Sequence, residues 1–266
     1  MSSDSSIETD SSTGEEKTPD RSTAHVGLVC THGRELTSLL SRLDRRRCYS
    51  QEQMRFTGGF FDTDIRVAIV EAGAGFAAHR KATEVLVKEH APAWVVSTGF
   101  SSSLAKDVRA GDLSLADTIR DTHRQCLKLN CPIPESKHAT IRTHLVTDSH
   151  PATSEQKQQW SAETAASAVD TTSLAVAQIC QASHIPCLSI RAIIDDLQEE
   201  MPESVLNALF EPDSPSAGNP ISRWVSNLRQ SKEEKQWFAR AESAAQHLDR
   251  FLSGVIRQLG DHLEPV

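Results

Sequence analysis

The segment from residue 169 to residue 196 constrains the fold more than any other part of the chain. Between residues 173 and 183, apolar side chains recur at the spacing of one helix face, and residues 184–194 form a mostly apolar, β-branched run. This pattern predicts a helix, a short turn and then a strand. A strand that is apolar along most of its length is typical of one buried on both faces of an α/β sheet.

The predicted strand ends in two acids, Asp195 and Asp196. Ligands of open α/β sheets bind beyond the carboxyl ends of the strands, so an acid at this position is a candidate catalytic residue. Asp is also a common turn former, and that interpretation requires no chemistry. Because neighbouring side chains on an extended segment point in opposite directions, we expect Asp196 to add little to a role of Asp195.

Length, charge and cysteine content limit the class of protein. The 266 residues suffice for one α/β domain, and the net charge of −8 disfavours a nucleic-acid partner. No apolar run approaches the roughly 20 residues of a membrane-spanning helix. Cys126 and Cys131 have no second Cys or His pair at zinc spacing, so no metal site is expected. Cysteines within apolar runs and the lack of a secretory signal favour a cytoplasmic protein.

Composition divides the chain into a tail and one domain. Residues 1–24 are almost all Ser, Thr, Asp, Glu and Lys, which bury too little apolar surface to offset the entropy of ordering, so a disordered tail is predicted. Strands alternate with helices through residues 25–264, and the C-terminal part is helical. The expected fold class is α/β, a single domain whose central, mostly parallel or mixed twisted sheet is flanked by helices.

Two further strand ends carry candidate site residues. An apolar strand at residues 25–30 leads into a strand-to-helix junction, where Glu35 could either complement the helix dipole or act chemically. A strand at residues 93–99 opens into a hydroxyl-rich loop, residues 101–103, which could hold a polar ligand or be an ordinary connection.

A glycine-containing turn follows the strand at residues 65–70. Gly73, Gly75 and Ala78 match the spacing of a dinucleotide-binding turn, but no acid about 20 residues later could hold a ribose hydroxyl. A plain tight turn explains the glycines equally well. The hypothesis of a nicotinamide-dependent oxidoreductase therefore rests on this turn alone, and no cofactor is predicted.

Four stretches in this order resemble the nucleoside phosphorylase and nucleosidase family. They are V-G-L-V-C-T-H-G-R-E-L, E-A-G-A-G-F-A-A, V-V-S-T-G-F-S-S-S-L-A-K-D-V-R-A-G-D-L-S-L-A-D, and V-D-T-T-S-L-A-V-A with R-A-I-I-D-D. The chain is most similar to the methylthioadenosine/adenosylhomocysteine nucleosidase and hopanoid-associated phosphorylase branches. The resemblance implies cleavage of the N-glycosidic bond of a purine nucleoside, with adenine as the base, by a homo-dimer or larger homo-oligomer.

The resemblance assigns roles to individual residues. By position, Asp195 matches the general acid that protonates the purine, and Glu35 matches the base that activates water. A free Asp has a pKa of about 3.9, so Asp195 would need burial or a like-charged neighbour to hold a proton at neutral pH. The other residues that the resemblance brings to the substrate are Thr98, Gly99, Phe100, Ser101, Asp170, Thr171 and Thr172.

Two positions depart from the family's pattern. Thr172 stands where the family has a Glu that binds the ribose hydroxyls more strongly than a neutral acceptor can, and Asp170 could replace that Glu in part. Phe100 stands where the family has small residues, and its side chain could narrow or fill the pocket. These replacements leave open a catalytically impaired relative that binds a nucleoside or a protein partner without turnover.

Water and phosphate both remain open as the co-substrate. One phosphate-binding arginine of the phosphorylases would precede Thr98, where this chain has Ser97, and this difference favours hydrolysis. Arg34 and Arg80 could still supply positive charge for phosphate.

Overall fold

A computed structural model describes residues 23–210 and 231–261. Ten strands within these residues form one sheet: β1 Val26–Cys30, β2 Asp44–Gln51, β3 Met54–Phe61, β4 Ile65–Glu71, β5 Trp94–Ser103, β6 Leu113–Asp121, β7 Cys126–Lys128, β8 Ala139–Val146, β9 Ala168–Asp170 and β10 Cys187–Asp195. The helices are a 3-10 helix Gly33–Leu36, α1 Thr37–Ser41, α2 Phe76–His90, α3 Ser154–Thr164, α4 Ser173–Ala182, α5 Glu203–Phe210 and α6 Lys232–Asp261.

The sheet is closed, which corrects the expectation of a simple twisted sheet. Strands β5, β10, β6, β8 and β9 each pair with the next, and β9 pairs again with β5, so these five strands form a ring. Strands β1, β4, β3 and β2 extend from β5 as an open wing. The ring closes because β5 is ten residues long: the part around Val95 pairs with β1, and its end at Ser102 and Ser103 pairs with β9.

The expectation of a hydroxyl-rich loop at residues 101–103 is wrong, because these residues complete β5. All three serines are buried. The Ser101 hydroxyl donates to the Val169 carbonyl at 2.7 Å, and the Ser103 hydroxyl donates to the Val108 carbonyl at 2.8 Å. A buried hydroxyl with such a partner avoids most of the cost of leaving water, so a run of serines can form a central strand.

Helices cover both faces of the strands. On β1, Leu28 belongs to a core cluster that includes residues of α5 and α6, whereas its neighbour Val29 belongs to a second cluster with α2 and α4. Successive side chains of a strand point to opposite faces, so strands buried on both sides are apolar at nearly every position. β10, with all nine residues buried, confirms the prediction for that strand.

Parts of the sequence-based division lie outside the described residues, namely residues 1–22 of the tail and the loop at 211–220. Ala24, at the end of the expected tail, is buried, and its amide donates to the His90 carbonyl at 2.8 Å. Within the described part of the chain, no helix combines the length and the apolar character that crossing a membrane requires.

Candidate active site

Glu35 is held by the 3-10 helix that follows β1. His32 precedes this helix in an extended conformation, and its Nδ1 accepts the amide of Arg34 at 3.2 Å. The Glu35 carboxylate reaches back and accepts the amides of Thr31 at 3.1 Å and of His32 at 3.4 Å. This reciprocal cap turns the Glu35 side chain inward, where it is 3% exposed.

The Glu35 carboxylate lies against the backbone of β5. Gly99 has φ +146°, and a Cβ at this position would lie 3.1 Å from Oε1 of Glu35, so a glycine is needed both for the backbone and for the contact. Burial raises the pKa of Glu35 to about 8, although the charge of Arg191 and the amides of His32, Thr31 and Phe100 oppose that rise. Glu35 therefore holds a proton at neutral pH and loses it near pH 8.

Asp195 ends β10, opposite Ser102 of β5, and is 2% exposed. Burial raises the pKa of its carboxyl, while the Lys157 ammonium and the neighbouring Ser102 side chain partly offset the rise. Asp196 points elsewhere, as expected, because its carboxylate accepts the Ala110 amide at 2.6 Å and Arg109 at 3.2 Å.

The two candidate catalytic carboxylates therefore border the same strand. Glu35 contacts β5 at Gly99, and Asp195 lies beside Ser102. Three residues of a strand span about 10 Å, so the carboxylates meet β5 about that far apart along its length. Both groups are removed from water, and their pKa values are both raised toward the range where proton transfer at neutral pH is effective.

A buried ion pair that the sequence analysis missed lies between these acids. Arg191 of β10 is opposite Gly99 and is 1% exposed. Its Nη2 donates to Ser97 Oγ at 2.8 Å, to Thr172 Oγ1 at 3.2 Å and to Asp170 Oδ1 at 3.3 Å. Its sequence signal is the single charge inside the apolar run of β10, since a charge that must be buried needs a partner.

Asp170 is occupied by its own chain. Its Oδ1 accepts the amides of Thr172 and Ser173, both at 2.7 Å, and its Oδ2 accepts the Ser173 hydroxyl at 2.8 Å, which caps α4. Burial alone would raise the pKa of Asp170, but Arg191 holds it well below the usual range. These contacts give Asp170 a structural role and leave little capacity for a sugar hydroxyl.

The remaining candidates for substrate binding differ in their surroundings. Thr98 is 1% exposed, and its hydroxyl has no hydrogen-bond partner among residues 23–210 and 231–261. Phe100 is buried, and its side chain belongs to the core cluster that also contains Met201 and Phe210. Thr171 is at the border between buried and half-buried, beside the cap of α4.

The two candidate phosphate-binding arginines differ in their surroundings. Arg34 is in the 3-10 helix next to Glu35, and partial burial lowers its pKa to about 10. Arg80 is half exposed on α2, where its Nε lies 3.4 Å from Oε1 of Glu84 and its Nη1 donates to Gln178 at 3.4 Å. Arg80 is thus bound to neighbouring helical residues at the surface.

Three buried histidines also escaped the sequence analysis. His144 lies 2.8 Å from the Ser114 hydroxyl and 4.0 Å from Asp170, and His79 lies 3.5 Å from the Thr31 hydroxyl. Burial lowers the pKa of His79 and His144 to about 4 and that of His150 to about 3, so all three are neutral at pH 7. In the described ranges, no group of three or more His, Cys, Asp or Glu side chains could hold a metal ion.

The comparisons of this chain with known proteins by sequence and by structure agree with each other. No protein-family model matches the sequence. The chain is 21% identical over 229 residues to 5′-methylthioadenosine/S-adenosylhomocysteine nucleosidase of Staphylococcus aureus, a match that covers 76% of this chain and 100% of the relative.

Solved structures agree with this match. S-adenosylhomocysteine nucleosidase of Streptococcus pyogenes, in complex with 5-methylthiotubericidin, superimposes with a TM-score of 0.64 at 16% identity over 87% of this chain and 97% of the other. A futalosine hydrolase mutant of Helicobacter pylori gives a TM-score of 0.66 at 16% identity over 91% and 100%.

The chain therefore has the fold of the nucleoside phosphorylase and nucleosidase family, which confirms the family resemblance seen in the sequence. Within that family, the proteins to which it is similar by these comparisons are methylthioadenosine/adenosylhomocysteine nucleosidases and futalosine hydrolase.

Proposed function

We propose that this protein is an N-glycosidase that hydrolyses the bond between the sugar and the base of a nucleoside, with an adenine nucleoside as the substrate. The observation that carries the proposal is the pair of buried carboxylates beside β5, Glu35 at Gly99 and Asp195 at Ser102. The similarity to nucleosidases along the chain supports the same reaction class.

In the proposed reaction, the two acids act on opposite ends of the bond that breaks. The bond between C1′ and the base nitrogen opens, its electron pair stays on the base, and Asp195 donates a proton to the base. A water oxygen bonds to C1′ while Glu35 accepts one of the water's protons. Two carboxyl groups on either side of a glycosidic bond, with a water between one of them and the sugar, are the usual arrangement for such hydrolysis.

The buried surroundings favour the acid role of Asp195 and restrict the base role of Glu35 to mildly alkaline pH. A general acid must hold its proton until the leaving group needs it, and burial raises the pKa of Asp195 in that direction. A general base must be ionised, and Glu35, with a pKa of about 8, becomes so only under mildly alkaline conditions in the free protein. The guanidinium of Arg191 favours the ionised form of Glu35 and of Asp170.

The test is incubation of the full chain with methylthioadenosine, adenosylhomocysteine, adenosine and futalosine, each followed by chromatography for the free base. We expect release of adenine from at least one adenine nucleoside. Release of the base from futalosine alone would keep the N-glycosidase but overturn adenine as its base, and no release from any of the four would overturn the proposal.

Two further arms make the result specific. Asp195→Asn keeps the size of the side chain but cannot supply the proton, so we expect turnover to fall by about 10²–10⁴-fold. The variant also leaves the buried Lys157 without its counter-charge, so we expect a lower melting temperature, and the assay is run well below it. Omitting or adding inorganic phosphate distinguishes the co-substrate: hydrolysis yields the free sugar in both cases, whereas a sugar phosphate as product would mean phosphorolysis.

A further inference from the structure

Helix α3 buries a single side chain, and that side chain is a lysine. The helix is otherwise exposed or half-buried, yet Lys157 is 1% exposed. A lysine is almost never fully buried unless it is paired. Its Nζ lies 2.7 Å from Oδ2 of Asp195 and 2.6 Å from the carbonyl oxygen of Asp196. Both partners lie at the carboxyl end of β10, so α3 delivers a cation to the carboxyl that is proposed as the general acid.

The start of α3 is anchored to the segment that follows β10. The Ser154 amide and hydroxyl donate to Oε1 of Glu200 at 3.1 Å and 3.0 Å. Thr153 caps the helix by accepting the Gln156 amide at 3.2 Å. Since Lys157 lies one turn further along the same helix, these contacts fix the direction from which its ammonium approaches Asp195.

The two oxygens of Asp195 have different surroundings. Oδ2 is held by the Lys157 ammonium, whereas Oδ1 is buried and has no hydrogen-bond partner in the described parts of the chain. An unpartnered buried carboxylate oxygen is costly, so it calls for an explanation, and a catalytic role or a bound ligand is one that fits its place at the end of β10. The lysine therefore fixes one oxygen and leaves the other to a ligand.

We propose that Lys157 is a positioning residue, which holds Oδ2 of Asp195 so that Oδ1 is presented to the leaving base. The inference rests on the proposed function for the role of Asp195 and extends it by assigning Lys157, which lies 38 residues earlier in the chain. Lys157 does not touch the substrate and acts only through the carboxyl.

Among the described residues, Lys157 carries the one charged group in direct contact with the Asp195 carboxyl. The charged groups that act on the pKa of this carboxyl are Lys157 on α3, which lowers it, and Glu199 after β10, which raises it. The nearby charges of Asp196, Arg109 before β6 and Arg240 on α6 form ion pairs of their own. Glu199 is paired with Arg240 at 2.6 Å, and Asp196 is paired with Arg109 at 3.2 Å. Loss of the ammonium leaves burial as the dominant effect, which raises the pKa of the carboxyl.

The first test is independent of turnover. Carbon NMR of the full chain labelled at the aspartate carboxyls, with Asp195→Asn to assign the signal, gives the titration of Asp195 in the wild type and in Lys157→Met. We expect its midpoint to move to a pH about 1 to 3 higher in the variant, since an opposite charge at hydrogen-bond distance has that effect. An unchanged midpoint overturns the role of Lys157 even if the protein is an active nucleosidase.

The second test uses the reaction. In Lys157→Met we expect kcat to fall about tenfold or more with a smaller change in KM, and the alkaline limb of the pH profile to move upward. Lys157→Arg, which keeps the charge, should recover part of both effects. Gln159→Ala removes an exposed contact of α3, the hydrogen bond from Gln159 to Glu163 at 2.8 Å, and is the matched control, so its pH profile should stay that of the wild type.

The outcomes separate the two proposals. A wild type that turns over no nucleoside, with the carboxyl titration displaced as expected, contradicts the proposed function but keeps the ion pair. If Lys157→Met lowers the rate without moving the pH profile, or if Gln159→Ala has the same effect, Lys157 is merely structural and the inference is wrong. Should the Met variant not fold, the titrations of Lys157→Gln and Lys157→Arg decide the same question.

Discussion

At the scale of single residues, two similar carboxyl groups differ because of what touches each of them. Glu35 is held by backbone amides of its own turn, and its pKa rises to about 8. Asp195 has a lysine at 2.7 Å, which opposes the effect of burial. Burial raises the pKa of both carboxyls, but of the two only Asp195 has a lysine at hydrogen-bond distance that favours its ionised form, so groups of the same kind come to differ.

The base role of Glu35 predicts a particular pH dependence. We expect kcat/KM to rise tenfold per pH unit through the neutral range and to level off near pH 8, because only the ionised carboxyl accepts a proton from water. Glu35→Gln keeps the acceptor oxygen for the amides of Thr31 and His32, so it should fold but lose turnover by about 10²–10⁴-fold. A Gln variant with near-normal rates would show that another group activates the water.

The buried pair of Arg191 and Asp170 predicts a stability effect. Arg191→Met leaves the Asp170 carboxylate, which is 2% exposed, without its cation, so we expect the free energy of unfolding to fall by about 3–5 kcal/mol. Urea denaturation measures this loss. Adding Asp170→Asn to the same chain removes the uncompensated charge and should recover part of it; no recovery would mean that the pair's electrostatics are not the cause.

Sequence patterns located the two catalytic candidates but not their partners. Their places after apolar strands made Glu35 and Asp195 candidates, since ligands bind at such strand ends, and the family resemblance assigned their roles. Lys157 could not be paired with Asp195 from sequence, nor Arg191 with Asp170, because these contacts join residues 38 and 21 positions apart on different elements. A lone cation in a polar helix such as α3 carries no signal that it will be buried.

At the scale of elements, the apolar strands and the helices after them were predictable, whereas the edge of the sheet was not. β2 is exposed along its whole length, so its residues lack the alternation that marks a half-buried strand. It is held by pairing with β3, where Tyr49 stacks on its cross-strand partner Phe56 with ring centroids 4.9 Å apart. Closure of the sheet could not be predicted from the sequence either, because it depends on β5 pairing with both β1 and β9 along one edge.

The contact between β5 and the 3-10 helix predicts the effect of a methyl group. Gly99→Ala places a Cβ 3.1 Å from the Glu35 carboxylate at φ +146°, so we expect a loss of about 1–3 kcal/mol in stability and a displaced Glu35 with impaired turnover. Gly58→Ala in β3 is the control, since a Cβ there meets nothing within 4 Å. Equal effects of the two substitutions, measured by thermal unfolding and by base release, would contradict the proposed fit.

At the scale of the whole molecule, buried carboxyls and buried histidines have opposite effects on how stability depends on pH. The pKa of Glu35 is about 8 in the folded protein against the usual 4.5, so the folded state holds the extra proton between these values and loses stability as the pH rises. Asp249, with a pKa of about 6 against 3.8, acts in the same direction at lower pH. The buried histidines act oppositely, because burial lowers their pKa from 6.5 and the unfolded chain then takes up the extra protons.

Burial also lowers the pKa of His32 to about 4, so four histidines outweigh the two carboxyls below pH 6.5. Above that pH only Glu35 of these groups still titrates, so we expect maximal stability near it. From pH 6.5 to 8 the free energy of unfolding should fall by about 1–2 kcal/mol, since one proton corresponds to roughly 1.4 kcal/mol per pH unit. Urea denaturation at fixed pH measures the curve. Glu35→Gln should remove the fall above pH 6.5 and make the rise below it steeper, because Asp249 is then the one of these carboxyls that still opposes the histidines. A fall that persists in this variant would mean that another buried group, not Glu35, releases its proton in the neutral range.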